Sequence, residues 1–175
     1  MVYGDGSDAY ASSAALTRAA STRGAAMGLI RLEDDQRLNV REIDSQHETL
    51  IELINRLHKA MMGGGRRSIL DGIIAELIEH TRTHFQYEEK LMLEHNYPGY
   101  ARHKQEHERL IRHIVDLADG YRSGDLLLSF AVMVDLRGWA LVHIQKFDLA
   151  LGRFLNREQR VETRDEATSS RISTH

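Results

Sequence analysis

A chain of 175 residues is long enough for one domain with a buried core, and its net charge of −3 with no basic block gives nucleic acid no footing. It has no cysteine, which excludes disulfides, zinc–thiolate sites and thiol nucleophiles and favours a reducing, cytoplasmic setting. No apolar run approaches the ~20 residues that a membrane helix needs.

Residues 1–28 are rich in Ala, Ser and Gly. Asp5 and Asp8 stand where a signal peptide would be basic, and Arg18 and Arg23 interrupt any apolar stretch, so the segment reads as a flexible leader. Met27 is an alternative start. From Leu32 to Ile43 no period is sustained, and an ordered arm along the folded body is expected. Ser45 with Glu48 forms a capping box that predicts the start of the first helix. Leu50, Ile51, Ile54, Leu57 and Met61 follow at helical spacing, and Gly63 to Gly65 stop it. His47 shares that stripe in the first turn.

A second helix is predicted from near Ser68 to about His95. Its inward row is apolar through Leu70, Ile73, Ile74 and Leu77, and then turns to ligand types at His84 and Glu88. Asn96 to Gly99 break the chain. A third helix carries His103, His107, Leu110, Ile114, Leu117 and Tyr121 inward, with a break over Gly120 to Gly124. Asp125 is the predicted N-cap of a fourth helix, which runs to about Leu155 with Leu128, Val132, Leu136, Trp139, His143 and Phe147 inward. The expected organisation is therefore a leader over 1–28, a helical body over 29–156 and a fraying polar tail over 157–175. No strand pattern or internal repeat is present.

Four amphipathic helices with short connections predict an all-α, antiparallel up-down-up-down four-helix bundle with an N-terminal arm. That topology brings the start of the first helix, the end of the second, the start of the third and the end of the fourth to one end of the bundle. His47, His84 with Glu88, His103 with His107, and His143 occupy those places. A lone His103/His107 pair would mean little, but this convergence points to a metal site. Asp148 is ambiguous. It lies five residues after His143, ~140° round an ideal helix, so the two share a face only if the helix is rotated or widened by a π-bulge. His58, His80, His95, His113 and His175 fit no ligand position; His80, one turn before His84, is a candidate for supporting it from behind.

The motifs DxQH (Asp44–His47), HFxxEExxM (His84–Met92), HxxxH (His103–His107) and WxxxHIxxxD (Trp139–Asp148) resemble those of the hemerythrin family. The long intervals between them are similar to its bacterial branch. The resemblance covers roughly residues 32–155. It implies a non-haem centre of two iron ions bridged by oxo or hydroxo. His103, His107 and His143 would bind one iron, His47 and His84 the other, with Glu88 and Asp148 bridging, which resolves Asp148 in favour of a ligand. Five histidines, two bridging carboxylates and the oxygen bridge fill all but one position of two six-coordinate ions. The vacancy falls on the two-histidine iron, where dioxygen would bind. Phe85, Trp139, Ala140 and Ile144 are expected to wall that oxygen pocket.

Three departures from the family pattern stand out. Leu32 replaces a tryptophan and Asn39 a glycine, which weakens the arm rather than the metal site. Ala140 replaces a leucine, which predicts a roomier pocket. Leu151 replaces a tyrosine and removes one hydrogen bond from behind the ligands.

The function implied is reversible dioxygen binding for storage, delivery or sensing, not enzymatic turnover. The alternatives are an enzyme that scavenges nitric oxide or peroxide, and a sensor that signals to an unidentified protein partner. Ferritin-like oxidases use Glu-x-x-His pairs, and this chain has none.

Overall fold

The computed structural model describes residues 29–172, with side chains placed to Val161, so the expected leader and Met27 lie outside the described residues. The chain forms α1 (Arg41–Met62), α2 (Arg67–Glu94), α3 (Tyr100–Ser123) and α4 (Phe130–His143), and then one π-helical turn (Ile144–Asp148) that leads directly into α5 (Leu149–Ile172). α4, the π-turn and α5 make one continuous fourth helix, and the whole is the expected four-helix bundle. Among the described residues no helix is long and apolar enough to cross a membrane.

Two helix starts differ from the sequence reading. α1 begins at Arg41, not at Ser45. The carboxylate of Asp44 turns back to accept the Leu38 N–H at 2.7 Å, which fastens the incoming arm to the first turn. A tertiary bond has thus displaced the local capping signal. α4 is capped by Ser129, whose Oγ accepts from Val132 N at 3.4 Å, and Asp125 instead pairs with Ser123 Oγ in the preceding loop. Leu128 reaches the core from that loop and not from a helix. The polar segment after Asn156, where fraying is expected, is helical as far as Ile172. After Gly152 the segment is built largely from good helix formers and contains neither Gly nor Pro.

The α2–α3 turn closes by a regular device. Asn96 adopts φ +52°, and the Tyr97 N–H donates to Met92 O at 2.8 Å, satisfying a helix-end carbonyl.

The arm is ordered as expected. Asn55 accepts the Ile30 N–H through Oδ1 at 3.0 Å and donates to Ile30 O at 2.9 Å, while Ile30 and Leu32 are buried in the main core. Asn39 sits at φ +57°, the left-handed conformation that a glycine supplies most easily and that asparagine tolerates better than other residues. The arm then crosses α5 at Gly152, where an added Cβ would lie 2.8 Å from Leu38 Cγ. Asn156 Nδ2 donates to Leu38 O at 2.7 Å and locks the crossing.

The core is in two parts. The larger runs through the far end of the bundle, around Leu50, Ile54, Leu57, Ile74, Leu77 and Met133. The smaller, of Leu38, Ile43, Met92, Leu151 and Leu155, is built where the arm meets α5. A wholly polar cluster is buried among these helices.

Candidate metal centre

The buried polar side chains are few, and most of them are the predicted ligands. His47, His84, Glu88, His103, His107, His143 and Asp148 are each at most 3% exposed. Their ligand atoms form two overlapping groups within 4.8 Å of one another: Glu88, His103, His107, His143 and Asp148; and His47, His84, Glu88 and Asp148. Each helix supplies its part through ordinary i, i+4 spacing, which stacks His84 over Glu88 and His103 over His107. The fourth helix cannot do this with a five-residue interval. The π-turn over Ile144–Asp148 takes up the extra residue with less rotation per residue, so both His143 and Asp148 face the cluster.

The two carboxylates divide their oxygens between the two histidine groups. Asp148 Oδ1 lies 3.0 Å from both His103 Nε2 and His143 Nε2, whereas Oδ2 lies 3.1 Å from His47 Nε2. Glu88 Oε2 lies 3.2 Å from His107 Nε2 and 3.5 Å from His103 Nε2, whereas Oε1 faces His84 Nε2 at 3.9 Å. A carboxylate shared by two cations presents its oxygens in this way.

The electrostatics leave a deficit of positive charge. Burial, and then the charge of Asp148, push the Glu88 carboxyl well above its usual range. For Asp148 burial acts in the same upward direction, but His143, His103 and His47 outweigh it and hold the group well below its usual range. Burial, reinforced by neighbouring imidazoles, holds His84 and His107 far below the usual imidazole value. They stay neutral, the form that ligates metal. Both oxygens of Glu88, Oδ2 of Asp148, and Nε2 of His47, His84 and His107 have no hydrogen-bond partner among the described residues. Orphaned buried polar atoms are costly. Here they all face one point, and their chemistry (imidazole with carboxylate) suits a divalent first-row metal such as iron. The residues present fit a two-metal centre.

The predicted pocket residues also meet. Phe85, Trp139, Ala140 and Ile144 line one cavity with His47 and His84, and aliphatic side chains from the larger core complete it. It gives the centre of a water-sized molecule about 30 Å³ to move in, where one water needs about 10–15 Å³. The cavity touches His143 and Asp148 but not His103, His107 or Glu88, so it opens on the two-histidine half. Phe85 also stacks on His107, with ring centroids 3.8 Å apart and planes within 7°. Trp139 meets His113 edge-on at 4.3 Å.

Motif reading passed over two residues. Gln46 Oε1 lies 3.0 Å from His84 Nδ1, and Glu89 Oε1 lies 3.2 Å from His107 Nδ1. Each sits beside a predicted ligand and is itself a fixed letter of the motifs DxQH and HFxxEExxM, and that was the available signal. His80 supports from one step further back: its Nε2 lies 2.8 Å from the backbone carbonyl of Gln46. Leu151, where the family pattern has a tyrosine, is fully buried in the smaller core.

Comparison with known proteins agrees with this architecture. Residues 38–155 match the family model described as the hemerythrin HHE cation binding domain. A bacteriohemerythrin of Stenotrophomonas maltophilia is 33% identical over 124 residues, covering 71% of this chain and 80% of that protein. One from Methylococcus capsulatus is 32% identical over 118 residues, covering 67% of this chain and 89% of its own. The crystal structure of a wild-type hemerythrin superposes with a TM-score of 0.68 at 30% identity, covering 73% of this chain and 98% of that one.

Proposed function

The chain belongs to the hemerythrin family, and on that premise we propose that it binds dioxygen reversibly at a non-haem di-iron centre, for oxygen storage, delivery or sensing. His103, His107 and His143 would hold one iron, His47 and His84 the other, and Glu88 and Asp148 would be shared between them. When bound, the iron pair supplies the reversible two-electron exchange that captures dioxygen.

The observation that carries this reading is the cavity on the two-histidine half. It supports a free coordination position at the place where the ligand count leaves one. Its remaining walls are almost entirely apolar, which admits a small uncharged gas and disfavours charged solutes. Phe85, Trp139 and Ile144 keep water from the site, while Ala140 leaves space. Thr81 is the one hydroxyl on the lining, and it donates to Leu77 O at 2.7 Å. Apart from the predicted ligands, no ionisable side chain lines the cavity among the described residues. That supports binding and release over cleavage of the O–O bond.

The test is to purify the full chain, count iron, and cycle it anaerobically between the reduced and air-exposed forms. Two irons per chain and an oxo-to-iron charge-transfer spectrum that appears and disappears with oxygen are expected. Fewer than two irons overturns the di-iron reading. Sustained consumption of a reductant with peroxide or nitric oxide moves the function to scavenging.

A further inference from the structure

Each of the two histidine groups contains one imidazole whose outer nitrogen is held, and the holders differ in charge. His107 directs Nε2 inward to Glu88 and Nδ1 outward to Glu89 Oε1 at 3.2 Å. The other oxygen of Glu89 accepts from Lys104 Nζ at 2.7 Å. His84 directs Nδ1 to the amide oxygen of Gln46 at 3.0 Å. That orientation of the amide is fixed from its other end, because Gln46 Nε2 donates to Glu42 Oε1 at 3.1 Å. The Nδ1 atoms of His47, His103 and His143 have no partner among the described residues. One imidazole of the three-histidine group is thus backed by a carboxylate, and one of the two-histidine group by a neutral amide.

An imidazole that binds a cation through Nε2 carries its proton on Nδ1 and donates it. A carboxylate draws that proton more strongly than an amide oxygen does, which makes Nε2 more basic and its bond to the cation stronger. Resting on the di-iron reading above, we propose that Glu89 and Gln46 are positioning residues that make the two irons unequal in hold. Glu89, braced by Lys104, anchors His107 and with it the three-histidine iron. Gln46 orients His84 without that added pull and leaves the two-histidine iron the labile one. The tight ion then stays in place as a fixed half of the site, while the ion facing the cavity is the one that exchanges.

Release of iron from the reduced, loaded full chain into a ferrous chelator tests this. Two phases are expected, the slow one from the three-histidine position. Glu89→Gln keeps the shape and an acceptor oxygen but removes the charge; it should speed the slow phase by about 10–100-fold, the usual cost of losing such a partner, and leave the fast phase within about threefold. Lys104→Gln keeps the carboxylate, so its effect should be smaller than that of Glu89→Gln. Gln46→Glu should slow the fast phase. Thermal melting of the metal-free variants shows whether a change reflects folding instead.

A single phase in the unsubstituted chain, an unchanged slow phase in Glu89→Gln, or equal acceleration of both phases overturns the inference. Equal effects of Glu89→Gln and Lys104→Gln also overturn it, because they would mark a merely structural ion pair. These outcomes are separable from failure of the functional reading, which would appear earlier, as fewer than two irons in the unsubstituted chain.

Discussion

Deleting Gln145 tests whether the π-turn is what lets one helix carry both His143 and Asp148. In a regular α-helix these residues would stand ~140° apart, yet both face the cluster, because the turn over Ile144–Asp148 takes up one extra residue. Gln145 is exposed within that turn. Without it, His143 and the aspartate are four apart, ~40° round an ordinary α-helix. The helix can then become regular while Asp148, Leu151 and Leu155 keep their facing. Inserting an alanine after Gln145 does the reverse. It turns everything downstream by ~100°, carrying Asp148 off the site and moving Leu151 and Leu155, 0% and 3% exposed, toward water. At about 1.5–3 kcal/mol per buried leucine, insertion costs roughly 3–6 kcal/mol, a large share of the about 5–15 kcal/mol that holds a domain together. The deletion is expected to keep its iron and to unfold within about 1 kcal/mol of the unsubstituted chain; the insertion loses both iron and stability. The assay is iron per chain together with denaturant unfolding. An ordinary helix would suffer comparably from a residue removed and a residue added, so equal damage in the two variants refutes the reasoning.

Three other perturbations have defined outcomes. Ala140→Leu adds three carbons beside a cavity of about 30 Å³, enough to displace a water. If water admitted by the space at Ala140 drives loss of bound oxygen, the oxygenated form of the variant should decay more slowly in air; an unchanged decay rate refutes entry of water there. Gly152→Ala places a Cβ 2.8 Å from Leu38 Cγ and 3.2 Å from Leu38 O, so overpacking should cost about 1–3 kcal/mol in denaturant unfolding. Equal stability would mean that the arm shifts freely. Stability of the metal-free chain should fall as pH drops through the usual imidazole value of 6.5, because His84 and His107 are held neutral in the fold and become protonated on unfolding. Two such groups give at most about 2.7 kcal/mol per pH unit. Glu88 offsets part of that, since its raised pKa makes the folded chain take up a proton that the unfolded chain lacks. A melting temperature that is flat or rising from pH 7.5 to 5.5 contradicts this.

What sequence could and could not reveal divides along the range of the forces involved. His84 with Glu88 and His103 with His107 were legible because helical spacing is a local property, and bundle topology then carried them to one end with His47 and His143. Asp148 was not legible from periodicity, since the π-turn that turns it inward departs from the very spacing on which the argument relied. The resemblance to a family supplied it instead. The two misplaced helix starts are exceptions to that division, because the contacts involved are short-range, six and two residues apart. Ser45 and Asp125 are sound capping residues in isolation, but Asp44 is drawn to Leu38 N, six residues back, and Asp125 to Ser123 Oγ. Gln46 and Glu89 stand in the quoted motifs, but a polar residue beside a predicted ligand looks like a solvated flank until the partner helix is in place. Their bonds to His84 and His107 each join residues on different helices. All the predicted ligands but Asp148 are thus legible from helical spacing and topology, while what differentiates the two halves of the cluster is written between helices. A chain that kept all seven predicted ligands but lost Gln46 or Glu89 would keep the candidate donor set while losing the contacts that distinguish its two halves.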